Sequence, residues 1–214
     1  DMKSTLFNMV AVLFTITLIA SAGVGAVNMI TEDAIAEANR QATVAAVANV
    51  LPAFEKSEMS TMTIDEMPIN IYTAVDGSGA VVGYAVETMT MSGFSGKVRM
   101  MVGFDAEGTI LNVNVLEQSE TPGLGSKMCD EGNVLLASVQ GKNPANLKLK
   151  VKKDGGDIDA LTAATISSRA YADAVARAYE AFKEASGAQE STHGVSGATA
   201  THEGHDAQEG GDNE

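Results

Sequence analysis

Between Ser4 and Thr31 no residue carries a charge, and the run "LFNMVAVLFTITLIASAGVGAVNMI" is apolar almost throughout. Such a stretch exceeds the ~20 residues needed to cross a hydrocarbon core. It also outruns the roughly 7–15 apolar residues of a signal peptide. The pattern predicts a membrane anchor over 1–31. "TEDAIAEANRQATVAAVANVL" follows, with a capping threonine, early acids and many alanines, and it predicts a helical connector over 32–52 that continues the span and stops near Pro52. Beyond Pro52 the period drops to two. Ile71–Val75 and Val81–Met91 flank the turn "DGSG", and Val98–Phe104 and Thr109–Glu117 flank "DAEG", which predicts two hairpins. "GNVLLASVQG" predicts a short helix, and "LKLKVKK" (Leu147–Lys153) alternates as a half-exposed strand would. From Ser168 to Ala185, Tyr171, Val175, Ala178 and Phe182 recur at helical spacing and make one apolar face. After Ser186 the chain lacks lysine, arginine and aromatics, so 186–214 is expected to be a disordered acidic tail. The expected fold class is α+β: a transmembrane helix, then a domain of antiparallel strands with flanking helices over 53–185.

Charge and composition narrow the chemistry. The formal net charge of −14 opposes a polyanion-binding surface, so no nucleic acid partner is expected. Lys3 precedes the span while Glu32 and Asp33 follow it, which by the positive-inside tendency sets the domain on the extracytoplasmic side of the cell inner membrane, single-pass in the lipid bilayer. "DMK" is an unusual opening and leaves room for residues upstream. Cys129 is the one cysteine, which excludes an intrachain disulfide and a CxxC pair. It is expected to be a half-buried small residue. Met89, Met91, Met100 and Met101 are expected to pack in the core. His193, His202 and His205 all lie in the tail, so Ser-His-Asp and Cys-His catalysis are excluded from the domain, and no metal site is expected there. Any redox chemistry must come from a cofactor or another subunit.

Two stretches remain. "QSETPGLGSK" (Gln118–Lys127) combines Pro122, which fixes one dihedral, with Gly123 and Gly125, which allow close backbone approach to a flat or phosphorylated ligand. A tight loop reads the same way, and the spacing of a P-loop is absent. "DALTAATISS" (Asp159–Ser168) puts an acid and two threonines before a helix. Thr165 has no neighbouring histidine to activate it as a nucleophile. It suits an acceptor hydroxyl at a helix start, where a phosphate meets free N–H groups and the positive end of the dipole. Taken alone, plain N-capping by Thr165, Ser167 or Ser168 is the better reading.

In order, "ETPGLG" at Glu120–Gly125 and "DALTAAT" at Asp159–Thr165 resemble the FMN-binding domain shared by the RnfG subunit of the Rnf electron-transport complex and the NqrC subunit of the sodium-pumping NADH:quinone reductase. The preceding strand pair and the single amino-terminal span are similar too, up to about Ala185. The resemblance implies FMN held by a phosphoester on Thr165, installed by a flavin transferase. It implies that Thr162, Ala163 and Ala164 follow the phosphate and ribityl chain, and that Glu120, Thr121, Leu124 and Gly125 line the ring. Asp159 would serve transferase recognition or the turn, and Lys127 would contact flavin or offset phosphate charge. The implied function is that of a flavin-carrying electron-transfer subunit of an ion-translocating ferredoxin:NAD⁺ oxidoreductase, partnered by Rnf-type membrane and iron–sulfur subunits, with no independent active site. The alternatives are the equivalent quinone-reductase subunit and a flavin-free binding or assembly module. Ala163 departs from the family, which has glycine there. If the turn needs a positive φ, alanine costs on the order of 1 kcal/mol. "SGAT" at Ser196–Thr199 repeats the family tetrapeptide without the acid, in the expected tail, and is read as a decoy.

Overall fold

The computed structural model describes residues 2–193, with side chains over 5–187. Helix α1 (Met2–Val50) is unbroken for 49 residues, so span and connector are one element. Its apolar stretch, of mean hydropathy 2.2, is bare: Leu6, Phe7, Leu13 and Phe14 are all exposed, as a lipid-facing surface would be. The last turns differ. Ala46, Val47, Val50 and Leu51 are buried on the sheet. Pro52, which lacks an N–H, follows directly.

Five strands, β1 (Lys56–Ile64), β2 (Met67–Val75), β3 (Val81–Gly93), β4 (Gly96–Phe104) and β5 (Ile110–Gln118), form an antiparallel meander in chain order. The β1–β2 turn is only Asp65–Glu66, both at positive φ (49° and 63°), between the paired residues Ile64 and Met67. That geometry matches the right-handed twist of the strands it joins. Helices α2 (Val134–Val139) and α3 (Thr165–His193) complete the chain.

Both faces of the sheet are covered. On one, Ile71, Val86, Val98, Met100, Val102 and Phe104 pack against Tyr171, Val175, Ala178 and Phe182 of α3. The Phe182 ring stacks on Phe104 at 5.0 Å and meets Tyr84 edge-on at 5.3 Å. On the other, Ala74, Ala85 and Met101 receive the end of α1. Each Val or Leu so buried contributes about 1.5–3 kcal/mol. One glycine admits the helix: a Cβ on Gly103 would overlap the Val50 backbone.

Several expectations are corrected. Leu147–Lys153 is not a strand. The backbone bends at Leu149, where Lys150 N–H donates to the Lys148 carbonyl (2.7 Å), and its other bonds are split between local turns (Leu147 to Pro144, Asp154 to Val151, Gly155 to Lys152) and 156–158. Only Val151 bridges to Ile158. Strand β1, polar and mostly exposed, lacks the alternation that would have announced it. Helix α3 begins at Thr165 rather than Ser168 and runs past Ala185 to His193, into the segment read as tail. Cys129 is exposed. Met100 and Met101 are fully buried as expected, whereas Met91 is exposed. His202, His205 and the "SGAT" at 196–199 lie outside the described residues.

Candidate functional site

Glycine geometry brings the two motifs together. Gly123 takes φ +76° at the exposed apex of the first loop, where Leu124 N–H and Ser126 N–H both return to the Thr121 carbonyl and Ser126 Oγ accepts from Gly123 N–H. Gly125 lies against the start of α3: any Cβ there would overlap Ser167 Oγ and approach Glu120 Oε2 to 2.7 Å. The loop therefore docks on the helix only because position 125 has no side chain.

The second motif makes a turn from Leu161 to Ala164, closed by Ala164 N–H to the Leu161 carbonyl at 3.1 Å. Its third residue, Ala163, has φ +58°. Turns of this form ask for glycine at that position. Ser168 locks the turn, its hydroxyl donating to the Ala164 carbonyl and accepting from Leu161 N–H, both at 2.9 Å. Ser167 donates to Glu120. Neither serine caps the helix, and Ala164, just ahead of Thr165, has no acceptor to offer. Among the described residues the first-turn N–H groups of α3 thus lack a side-chain cap and keep their capacity to bind an anion.

These pieces enclose a cavity of about 300 Å³ lined by Phe94, Glu120, Thr121, Leu124, Gly125, Ala163, Ala164, Thr165, Ile166 and Ser167. Among the residues expected to bind, Glu120, Thr121, Leu124, Gly125, Ala163, Ala164 and Thr165 line it. Thr162 and Lys127 are exposed and stand outside the lining, as does Asp159. The Asp159 carboxylate instead pairs with Lys152 Nζ at 2.6 Å, and that bond holds its carboxyl below the usual range. Its backbone N–H donates to Ser138 Oγ at 2.9 Å. Asp159 therefore ties the motif to α2. Thr165 is half-buried, and its hydroxyl has no hydrogen bond among the described residues.

Glu120 is 4% exposed, with its carboxylate accepting from Ser95 N–H (3.0 Å) as well as from Ser167. It is the pin that joins loop, β3–β4 tip and helix. Sequence reading missed Phe94, Ile166 and Ser167. Phe94, 66% exposed at the tip between Gly93 and Gly96, was legible only as a lone aromatic between glycines.

The arrangement fits a flavin nucleotide. A shallow apolar hollow suits a flat ring, the uncapped helix start suits a phosphate, and a free hydroxyl stands where the two meet.

The FMN-binding domain family matches residues 93–180. The G subunit of the ion-translocating oxidoreductase complex of Shewanella amazonensis is 35% identical over 173 residues, which cover 75% of this chain and 80% of that one. Its counterpart in Shewanella baltica is 32% identical, with 83% and 89% covered. The G subunit of the Na(+)-translocating ferredoxin:NAD(+) oxidoreductase complex of Acetobacterium woodii is 28% identical, with 84% and 93% covered. Among solved structures, Shewanella oneidensis NqrC is 21% identical at a TM-score of 0.36, over 62% of this chain and 65% of that one. By the cavity that its two motifs build and by its likeness to these relatives over most of their length, this chain belongs to the family of ion-translocating oxidoreductase complex G subunits.

Proposed function

We propose that the chain carries FMN bonded through its phosphate to Thr165 and works as the membrane-anchored electron-transfer subunit of an Rnf-type ion-translocating complex. The observation that carries this reading is the unengaged Thr165 hydroxyl on the first residue of α3, at the wall of a cavity formed by both motifs. When bound, FMN supplies the redox chemistry. The protein holds and shields it. Thr165 tethers the phosphate, and the N–H groups of 165–167 face its charge. Ala163 and Ala164 border the ribityl chain, and Thr121, Leu124 and Gly125 flank the ring. Glu120 fixes the loop against the helix. Asp159, outside the cavity, holds the turn in shape and is open to contact by a flavin transferase during maturation, as are Thr162 and Lys127. A covalent tether prevents loss by dissociation and keeps the local flavin concentration high. Electrons pass between the flavin and its redox partners, neighbouring membrane and iron–sulfur subunits among them, and the domain lies on the extracytoplasmic side.

The test is a denaturing gel viewed under ultraviolet light, with material from cells able to attach flavins. A fluorescent band is expected from the native chain and from Thr199→Ala, and a dark one from Thr165→Ala. A dark native chain would favour a flavin-free module, and loss of signal in Thr199→Ala alone would move the attachment to the second motif. Peptide mass spectrometry then locates the added FMN. Co-purification with quinone-reductase subunits would reassign the complex.

A further inference from the structure

The alternation in 147–153 builds no strand, yet it sorts the side chains. Leu147 and Leu149 are half-buried and Val151 is buried, while Lys148, Lys150, Lys152 and Lys153 are exposed. Asp157 fixes the loop, accepting from Lys148 N–H at 2.7 Å, and Gly156 sits so close to the Lys150 backbone that a Cβ could not fit. Arg169, one turn beyond Thr165 on α3, clamps the same loop through Asp154 with bonds of 2.6 and 2.8 Å. The Asp154 carboxyl lies below the usual range, chiefly through Arg169, with Lys150 and Lys153 adding to it, so these cations share one neighbourhood. Lys152 is paired with Asp159, and Lys142 donates to the Ser138 carbonyl. Lys148, Lys150 and Lys153 make no close ion pair among the described residues, and Lys150 and Lys153 feel the Asp154 charge only from farther off. From 142 to 169, six cations face three carboxylates, in a chain whose net charge is −14.

We propose that this lysine loop together with Arg169 is the docking surface for an acidic electron-transfer protein, which it delivers to the flavin on Thr165; the proposal rests on the flavin reading above. The rest of the chain repels an acidic partner, so the patch sets orientation as well as encounter rate. Protein fits better than lipid because of where the loop sits. Leu149 and Ile158 pack with the α3-side core, whereas the helix that enters the membrane seats on the opposite face of the sheet. Transient redox complexes are small and rely on charge.

The experiment uses the full flavin-loaded chain in phosphatidylcholine nanodiscs at low ionic strength. Reoxidation of the two-electron-reduced flavin is timed with ferricyanide and with hexaammineruthenium(III), two equivalents of either being consumed. The ferricyanide-to-ruthenium rate ratio is expected to fall at least tenfold in Lys148→Glu/Lys150→Glu/Lys153→Glu, and the native and variant ratios are expected to converge at high salt, where both are screened. Lys56→Glu/Lys183→Glu, on other surfaces, leaves it unchanged. A labelled deca-aspartate peptide should bind the native chain and lose affinity tenfold or more in the triple variant. An unmoved ratio or unchanged peptide binding in the triple variant would overturn the proposal. So would protection of these lysines from acetylation when phosphatidylglycerol replaces phosphatidylcholine, since the patch would then face lipid. A native chain without flavin sinks the parent reading instead, and the gel reports that separately.

Discussion

Ala163→Gly should stabilise the domain, against the usual rule that glycine weakens a fold. Ala163 sits at φ +58° as the third residue of the Leu161–Ala164 turn, and its methyl group is exposed, so removing it loses little packing. The left-handed conformation costs an L-residue about 1–2 kcal/mol, from contact between Cβ and the carbonyl oxygen. Glycine escapes that cost but adds about 0.4–1 kcal/mol of unfolded-state entropy. The difference leaves a gain of about 0.5–1 kcal/mol, or roughly 2–4 °C in melting temperature for a domain of this size. The assay is urea or thermal unfolding in detergent, followed by tyrosine near-ultraviolet dichroism. All four tyrosines, Tyr72, Tyr84, Tyr171 and Tyr179, belong to the sheet or α3, so the anchor helix stays silent. Ala160→Gly, in the same segment without a positive φ, should shift the midpoint the other way. A midpoint for Ala163→Gly equal to or below the native one would refute the strain argument. If the strain also hinders the transferase, the glycine variant takes up flavin faster as well.

Gly125→Ala should be among the most damaging small changes, because its methyl group collides with Ser167 and Glu120; we expect a loss of about 1–3 kcal/mol and a dark or faint band on the flavin gel. Gly103→Ala pushes on the Val50 backbone and should unseat the end of α1; hydrogen exchange at 46–51 should accelerate while α3 stays protected. Asp154 and Asp159 bind protons less readily folded than unfolded, owing to Arg169 and Lys152 respectively. Their ion pairs therefore support the loop above the unfolded aspartate value of about 3.9 and fail as pH falls through the lower folded values. Exchange at 148–158 should rise in that acid window, and Asp154→Asn should show the acid behaviour already at neutral pH.

Where apolar spacing was strong, the fold was legible. The bare span follows from its long uncharged apolar run, and the two hairpins and the four-residue stripe of α3 follow from burial of one face. Strand β1 was hidden because an edge strand exposed on most positions needs no apolar alternation; its pairing to β2 comes from the Asp65–Glu66 turn. The lysine stretch misled for the opposite reason, since alternation records which side chains face inward and says nothing of whether a neighbouring strand exists. The site was visible as two motifs, and the helix start at Thr165 follows from the turn before it. Glu120 reaching Ser95 and Ser167 was not readable, because contacts across 25 and 47 positions depend on how the β3–β4 tip folds back.

The unbroken α1 ties the azimuth of the domain to that of its bilayer segment. A helix advances about 100° and 1.5 Å per residue, and the Gly103 seat leaves the last turn no slack to swivel. Adding a single residue between the span and the seat would swing the cavity about a quarter-circle away from whatever it faces, whereas adding seven would nearly restore its bearing and merely lift it by about 10 Å. The anchor is thus a spindle whose residue count encodes a compass heading for the site it carries.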